Sequence, residues 1–317
     1  MFSKSGLHTF IYGVRLENAK APLLLAFRSS NALIIATIAI AVFTDIFLYS
    51  LVVPVLPFAL TIRAGVEAKD VQKWTSIFLS VYGAALAIGS PIFGWFADRS
   101  SSRRVPLLLG LLALGGSTAM LTAGSSLGFL ITGRFLQGLS AAVVWTVGLA
   151  LLSDTVGKED IGQAMGYIAA ATSLGSLLGP LLGGVVYAKA GYYAVFSMGF
   201  ALIGVDIFLR LFMIEKSVAQ QWDAPSDSAT TASDSAQQSE IQIAPATDIV
   251  SESEKSPTTT SPKWVQRLPP VITLLRIPRL LAALFGCFVQ STALGSFDSV
   301  LPLYVKTTFS WDSTAPA

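Results

Sequence analysis

Asp45 interrupts an apolar run that extends over about residues 32–58. On a helix rising 1.5 Å per residue it falls roughly 20 Å into the run, near the middle of a ~30 Å hydrocarbon core. A carboxylate at that depth costs a few kcal/mol, so it must face a cavity or a partner. The chemistry open to it is proton carriage, cation binding, or both; the structural alternative is a buried pair with an arginine. Tyr49, four residues on, shares its helical face, and Pro54 and Pro57 follow where a bend is expected.

Arg134 is the only cation inside the run at about 127–152, in the sequence Arg134-Phe-Leu-Gln137-Gly138. A guanidinium at that depth needs carbonyl or carboxylate acceptors, and a neighbouring carboxylate would respond to its charge. A coupling role and a structural anchor both fit it. Asp206 and Arg210 stand four apart near the end of a later run, where an intrahelical ion pair with a snorkelling arginine is expected. Asp298 is a second mid-span carboxylate, in the run at about 280–305. It precedes Val300-Leu301-Pro302-Leu303 much as Asp45 precedes Val55-Leu56-Pro57-Phe58, a short echo of the kind two repeats would leave.

Two further patterns concern packing. Gly175, Gly179 and Gly183 recur every four residues, extended downward by Gly162 and Gly166, and form a small-residue face for close helix approach. Pro180 and Gly184 loosen the backbone at the same level. Between the second and third runs the chain reads Gly94-Trp-Phe-Ala-Asp98-Arg99-Ser-Ser-Ser-Arg103-Arg104. A carboxylate, a tight turn and a basic cluster at one helix end can lock neighbouring helices through charge and helix-dipole contacts.

Enzymatic machinery is not visible. One histidine, His8, and one cysteine, Cys287, exclude an intrachain disulfide and a histidine-based metal site. No nucleophile–base pair or metal cluster appears, so no catalytic residue, cofactor or metal ligand is assigned.

The elements that must position these residues are transmembrane helices. Of 317 residues, 53% are hydrophobic and 13% charged, with a mean hydropathy of +0.64. A soluble domain usually carries about 25% charged residues, so the solvent of this chain is largely lipid. A net charge of +2 without a basic stripe gives no nucleic-acid partner. Spans are expected at about 32–58, 74–97, 105–123, 127–152, 163–187, 192–214 and 280–305.

With the N-terminus inside, Lys4, Arg15, Lys20, Arg28, Arg99, Arg103, Arg104 and Lys158 face the cytoplasm, against Arg63, Lys69, Lys73 and Lys189 outside. That balance favours the N-in topology over the N-out arrangement of a seven-span receptor. The organisation expected is a cytoplasmic N-terminal region over 1–31 and a six-span bundle over 32–214. A disordered, serine-rich cytoplasmic linker follows over 215–278, then a seventh helix over 279–317.

Together these features resemble the major facilitator superfamily, and within it the drug:proton antiporters, including fungal and vesicular amine transporter-like members. Gly94, Asp98 and Arg99 match its gating motif, with Ser101 in place of a glycine and the basic pair Arg103 and Arg104 one residue late. Arg134, Gln137 and Gly138 match the span-four motif implicated in proton coupling. Gly175, Gly179, Pro180, Gly183 and Gly184 match the span-five antiporter motif. Asp45 with its prolines resembles the span-one signature of amine and drug antiporters.

The resemblance implies an all-α integral membrane fold: the N-terminal six-helix bundle of the major facilitator fold plus a seventh transmembrane helix. It also implies proton-driven export of a small organic molecule, such as a drug, toxin or secondary metabolite, by alternating access. Asp45 and Tyr49 would respond to substrate and protons, with Arg134, Gln137 and Asp298 assisting. The membrane would be the plasma membrane or a vacuolar or vesicular one.

The resemblance further implies that the glycine face meets an eighth span and the gating loop a later one. On that reading the 317-residue chain is C-terminally truncated. It would then be a non-transporting fragment or a regulatory half-transporter, unless a homodimer or a separate chain supplies the missing half.

Overall fold

The computed structural model describes residues 24–99, 103–223 and 277–309. Those residues are helical apart from short connections. A short helix α1, Leu25–Arg28, leads into α2, Asn31–Ile62. Ser30 starts α2 by accepting the Leu33 N–H on its hydroxyl at 3.3 Å, satisfying one of the donors a helix start leaves unbonded. Pro54 and Pro57 lie within one continuous helix.

A 3-10 turn, Ala68–Asp70, feeds α3, Val71–Arg99. α4 spans Arg104–Ala123 and stops at Gly124. Ser126 caps α5, Leu127–Val143, through the Phe129 N–H at 3.4 Å. A π-turn, Val144–Gly148, then joins α5 directly to α6, Leu149–Thr155.

α7, Ile161–Phe212, has 52 residues. At 1.5 Å per residue it would run about 78 Å, well beyond a ~30 Å hydrocarbon core. Gly191 breaks it, with φ 80° and ψ −177°, a conformation open to glycine and strained for other residues. The segment therefore makes two spans, 161–190 and 192–212, with the break where the sequence places a loop. α8 is Lys216–Asp223 and α9 is Pro278–Phe309.

The all-helical architecture and the apolar spans are those expected, most of them longer by a few residues at their ends. The stretch expected as a linker from 215 opens instead with α8. Lys216 Nζ donates to Asn31 Oδ1 at 3.1 Å and Ala219 is buried, which holds this first part against the bundle. The rest of the linker, residues 224–276, lies outside the described residues, as do 1–23, Ser101 and 310–317.

The chain divides into two compact units, 1–224 with 295–317, and 225–294. α9 crosses that boundary; its residues 278–297 are apolar and long enough for a span. Asp298 falls on α9, and its side chain is outside the described set.

Within the first unit, α2 packs most extensively on α7, and α5 on both α3 and α4. Ile34, Ile38 and Val42 anchor one apolar cluster; Phe47, Leu51 and Leu60 anchor a second. Asp45 falls on α2 between the two.

The α2–α7 contact is made at the glycine face. A Cβ on Gly179 would lie 2.7 Å from Ser50 Cβ and 2.9 Å from the Phe47 carbonyl oxygen. On Gly175 it would meet Phe43 and Phe47 backbone at 3.1 Å, and on Gly183 the Leu51 carbonyl at 3.0 Å. This corrects the expectation that the face meets an eighth span: α2 occupies it. Lipid gives helices no hydrophobic drive to associate, so close backbone approach at small residues supplies the contact. Gly162 and Gly166 do not extend it, because nothing lies within 4 Å of a Cβ built on either. Pro180 and Gly184 lie on the exposed side of the same helix.

Candidate functional site: a buried polar layer

Asp45 is fully buried. Its Oδ2 accepts the Trp145 indole N–H at 3.3 Å, while Oδ1 has no partner, and neither has the adjacent Thr44 Oγ1. Among the described residues no ion pair reaches it, so a structural pair with an arginine is not what holds it. An unsatisfied buried polar atom costs about 1–3 kcal/mol, which marks this carboxylate as incompletely compensated.

Tyr49 projects from the next turn of α2 and packs on Tyr82 of α3, with ring centroids 4.7 Å apart. Arg134 of α5 is fully buried and lies over the Tyr49 ring at 5.7 Å. Its Nη1 donates to Gln137 Oε1 at 2.8 Å, whereas Nε and Nη2 have no partner. The guanidinium is thus held by an amide one turn away and by an aromatic face.

Gly138 makes this seat available. A Cβ there would collide with the Tyr82 carbonyl and stand 2.8 Å from Ala85 Cβ, so only glycine lets α5 lie this close to α3. Tyr82 is within electrostatic range of Asp45, Tyr49 and Arg134, which joins α2, α3 and α5 in one polar layer. The structure brings Asp45, Tyr49, Arg134 and Gln137 into that layer but does not join Arg134 to Asp45 in an ion pair.

Asp206 and Arg210 form the expected intrahelical pair, Nε to Oδ1 at 2.9 Å and Nη2 to Oδ2 at 3.2 Å. The arginine does not snorkel. Both groups are buried, because the fork fits the carboxylate inside the bundle rather than at its rim.

The gating-motif residues gather at one end of the bundle. Arg103 reaches Asp154, at the end of α6, at 3.2 Å, and stands 3.9 Å from Asp98 at the end of α3. Arg104 donates from its backbone N–H to Glu215 Oε1 at 2.7 Å and from Nη2 to the Leu211 carbonyl at 2.6 Å. A carboxylate on the first amide of α4 also meets the positive end of that helix. Arg99 folds back over the Trp95 ring at 4.1 Å, and Gly94 faces open space. Arg28 completes the cluster, donating from Nε to the Phe212 carbonyl at 2.7 Å.

Sequence reasoning missed Trp145, Tyr82, Asp154, Glu215 and Arg28 as parts of these sites. Trp145 and Tyr82 sit in apolar runs where an aromatic residue is unremarkable. Asp154 and Glu215 sit just past span ends, and their place opposite Arg103 and Arg104 was the available signal.

A bundle of apolar spans with buried ionisable groups and a charged cluster at one end is that of an integral membrane protein, and a family match makes it one of the transporter type. The chain belongs to the Major Facilitator Superfamily, whose family model matches residues 35–317. It is 42% identical over 291 residues to an uncharacterized MFS-type transporter of Schizosaccharomyces pombe, covering 90% of this chain and 61% of the relative. It is 33% identical to the MFS-type transporter ppzB of Metarhizium rileyi, covering 91% of this chain and 63% of that protein.

A shorter match, 31% identical over half of this chain and 33% of the relative, is to a probable vesicular acetylcholine transporter of Danio rerio. The crystal structure of the human organic anion transporter MFSD10 aligns with a TM-score of 0.51 at 20% identity, over 59% of this chain and 48% of that one, a likeness of fold. The chain spans about three-fifths of the length of the two fungal relatives. The family is one of transporters rather than enzymes, and membership in it sets aside the receptor alternative.

Proposed function

We propose that the chain serves proton-coupled export of a small organic molecule by alternating access, with Asp45 as the group that responds to protons and substrate. The observation that carries this is a fully buried carboxylate with one oxygen on an indole N–H and the other unbonded. A proton or an organic cation would complete its bonding, and a carboxylate kept at the centre of a span at such cost is a functional-site candidate.

Tyr49, Tyr82 and Trp145 give the surroundings aromatic faces, which suit a cationic substrate. The zebrafish relative is named for acetylcholine, itself an organic cation, in the same sense. Arg134, held among the described residues by Gln137 and an aromatic ring, is the second charge of the layer. The Arg103 and Arg104 contacts would stabilise the outward-facing state from the cytoplasmic side.

A second bundle, whether from further sequence, a second copy or a separate chain, would complete a site of the kind that lies between two repeats. Plasma membrane and vacuolar or vesicular membrane are both consistent with this reading.

The test uses proteoliposomes with an internal pH-sensitive dye, an imposed pH gradient and ethidium as the probe cation. Ethidium movement against proton flux is expected, with a fall of about tenfold or more in Asp45→Asn, the effect of removing a group essential to coupling. Ethidium and proton movement unaffected by Asp45→Asn would overturn the assignment.

A further inference from the structure

Trp145 reaches Asp45 by way of an irregular backbone. The π-turn Val144–Gly148 holds one more residue than an α-turn, which turns the helix beyond it by about 100° relative to an uninterrupted α-helix. Trp145 lies within that turn. Thr146 Oγ1 donates to the Ala142 carbonyl, four residues back, at 2.6 Å. Val144, Val147 and Gly148 are buried, so the irregular segment faces protein and not lipid. A Cβ on Gly148 would stand 3.8 Å from Ile38 Cγ2, which seats the turn directly on α2.

The indole is half-buried and the carboxylate beneath it fully buried. Among the described residues, Tyr82 of α3 and Asp206 of α7 are within electrostatic range of Asp45, the latter already engaged by Arg210. Among the described residues the Trp145 N–H is the one hydrogen bond Asp45 receives. The half-buried indole thus lies against a fully buried carboxylate and occupies one acceptor position of Oδ2, leaving Oδ1 open.

We propose that Trp145, aimed by the π-turn, is a positioning residue and gate for Asp45: it fixes Oδ2, leaves Oδ1 free, and covers the carboxylate until a cationic group enters beside it. The purpose of the gate rests on the transport reading, but the contact is testable without it.

The full chain in lipid nanodiscs is treated with dicyclohexylcarbodiimide, which modifies carboxyls in apolar sites, and labelling is quantified by peptide mass spectrometry. Trp145→Phe keeps the aromatic bulk and removes the donor. Asp45 labelling is expected to rise about threefold to tenfold, the equivalent of one lost hydrogen bond, with Asp206 labelling unchanged. Equal Asp45 labelling in both proteins, or a parallel rise at Asp45 and Asp206, would overturn the proposal. If the Phe variant loses its helical circular-dichroism signal, Trp145→Leu, which also lacks a donor, is read by the same criterion. Ethidium and proton movement are measured alongside. Raised labelling in a protein that moves neither keeps the gate and removes the transport reading; unchanged labelling in one that moves both does the reverse.

Discussion

Two carboxylates sit equally deep in this bundle and are treated differently. Asp206 on α7 is gripped by both arms of a buried guanidinium one turn away. Asp45 on α2 has a single indole N–H and an unbonded oxygen. Burial alone therefore does not tell the two carboxylates apart. The distinction lies in whether the bonding capacity is filled. The Asp206 pair is a satisfied contact within the fold; Asp45 keeps an oxygen open, and the proposed role rests on that difference.

The contrast is broken most forcefully at the filled pair. Arg210→Ala leaves Asp206 buried without its cation, and removing one partner of such a pair costs about 3–5 kcal/mol. A thermal-unfolding assay in detergent should show the protein severely destabilised, and a midpoint within a degree or two of the parent would show that the pair is not structural.

The next effect concerns the glycine-face contact that packs the helix carrying Asp45. Gly179→Ile places a side chain where Ser50 and Phe47 already stand, and overpacking of that kind costs about 1–3 kcal/mol. The same assay should register it, whereas Gly184→Ile, on the open side of that helix, should leave the midpoint near the parent's. Equal effects at the two glycines would overturn the packing of α7 on α2.

Asp45→Asn should fall on the other side of the comparison. The amide keeps an acceptor for Trp145 and removes a charge that has no cationic partner. Stability is expected to hold or to gain about 1 kcal/mol, while proton-coupled movement is lost. A loss of stability comparable to that of Arg210→Ala would make Asp45 a structural residue after all.

Much of this was legible in the sequence because a charge in an apolar run has to be explained. Asp45, Arg134 and the Asp206–Arg210 pair all announced themselves in that way, and the spans followed from run length. What could not be read were the partners across helices. The glycine face was visible at four-residue spacing, but spacing does not say which helix lies on it, and it proved to be α2. Arg210 was placed at the rim by its position near a span end, yet its fork binds inward. Trp145 was hidden most completely, since an indole in an apolar run looks like packing until a π-turn aims its N–H at a carboxylate.

The most local effect lies at the charged end, where Arg104 and Glu215 are less deeply enclosed than Asp206 and Arg210. Glu215 accepts the first backbone N–H of α4, whose start is otherwise without a side-chain cap. Glu215→Ala removes that acceptor and its favourable place at the helix's positive end, while Arg104 keeps the Leu211 carbonyl. A loss of about 0.5–2 kcal/mol follows from an ordinary capping contact. Hydrogen exchange should show it as faster opening in the first turn of α4, with the Asp45 layer unaffected. If exchange instead rises around Asp45 and Trp145, the end cluster and the central layer are coupled, and the lock at the bundle's end is part of the same device.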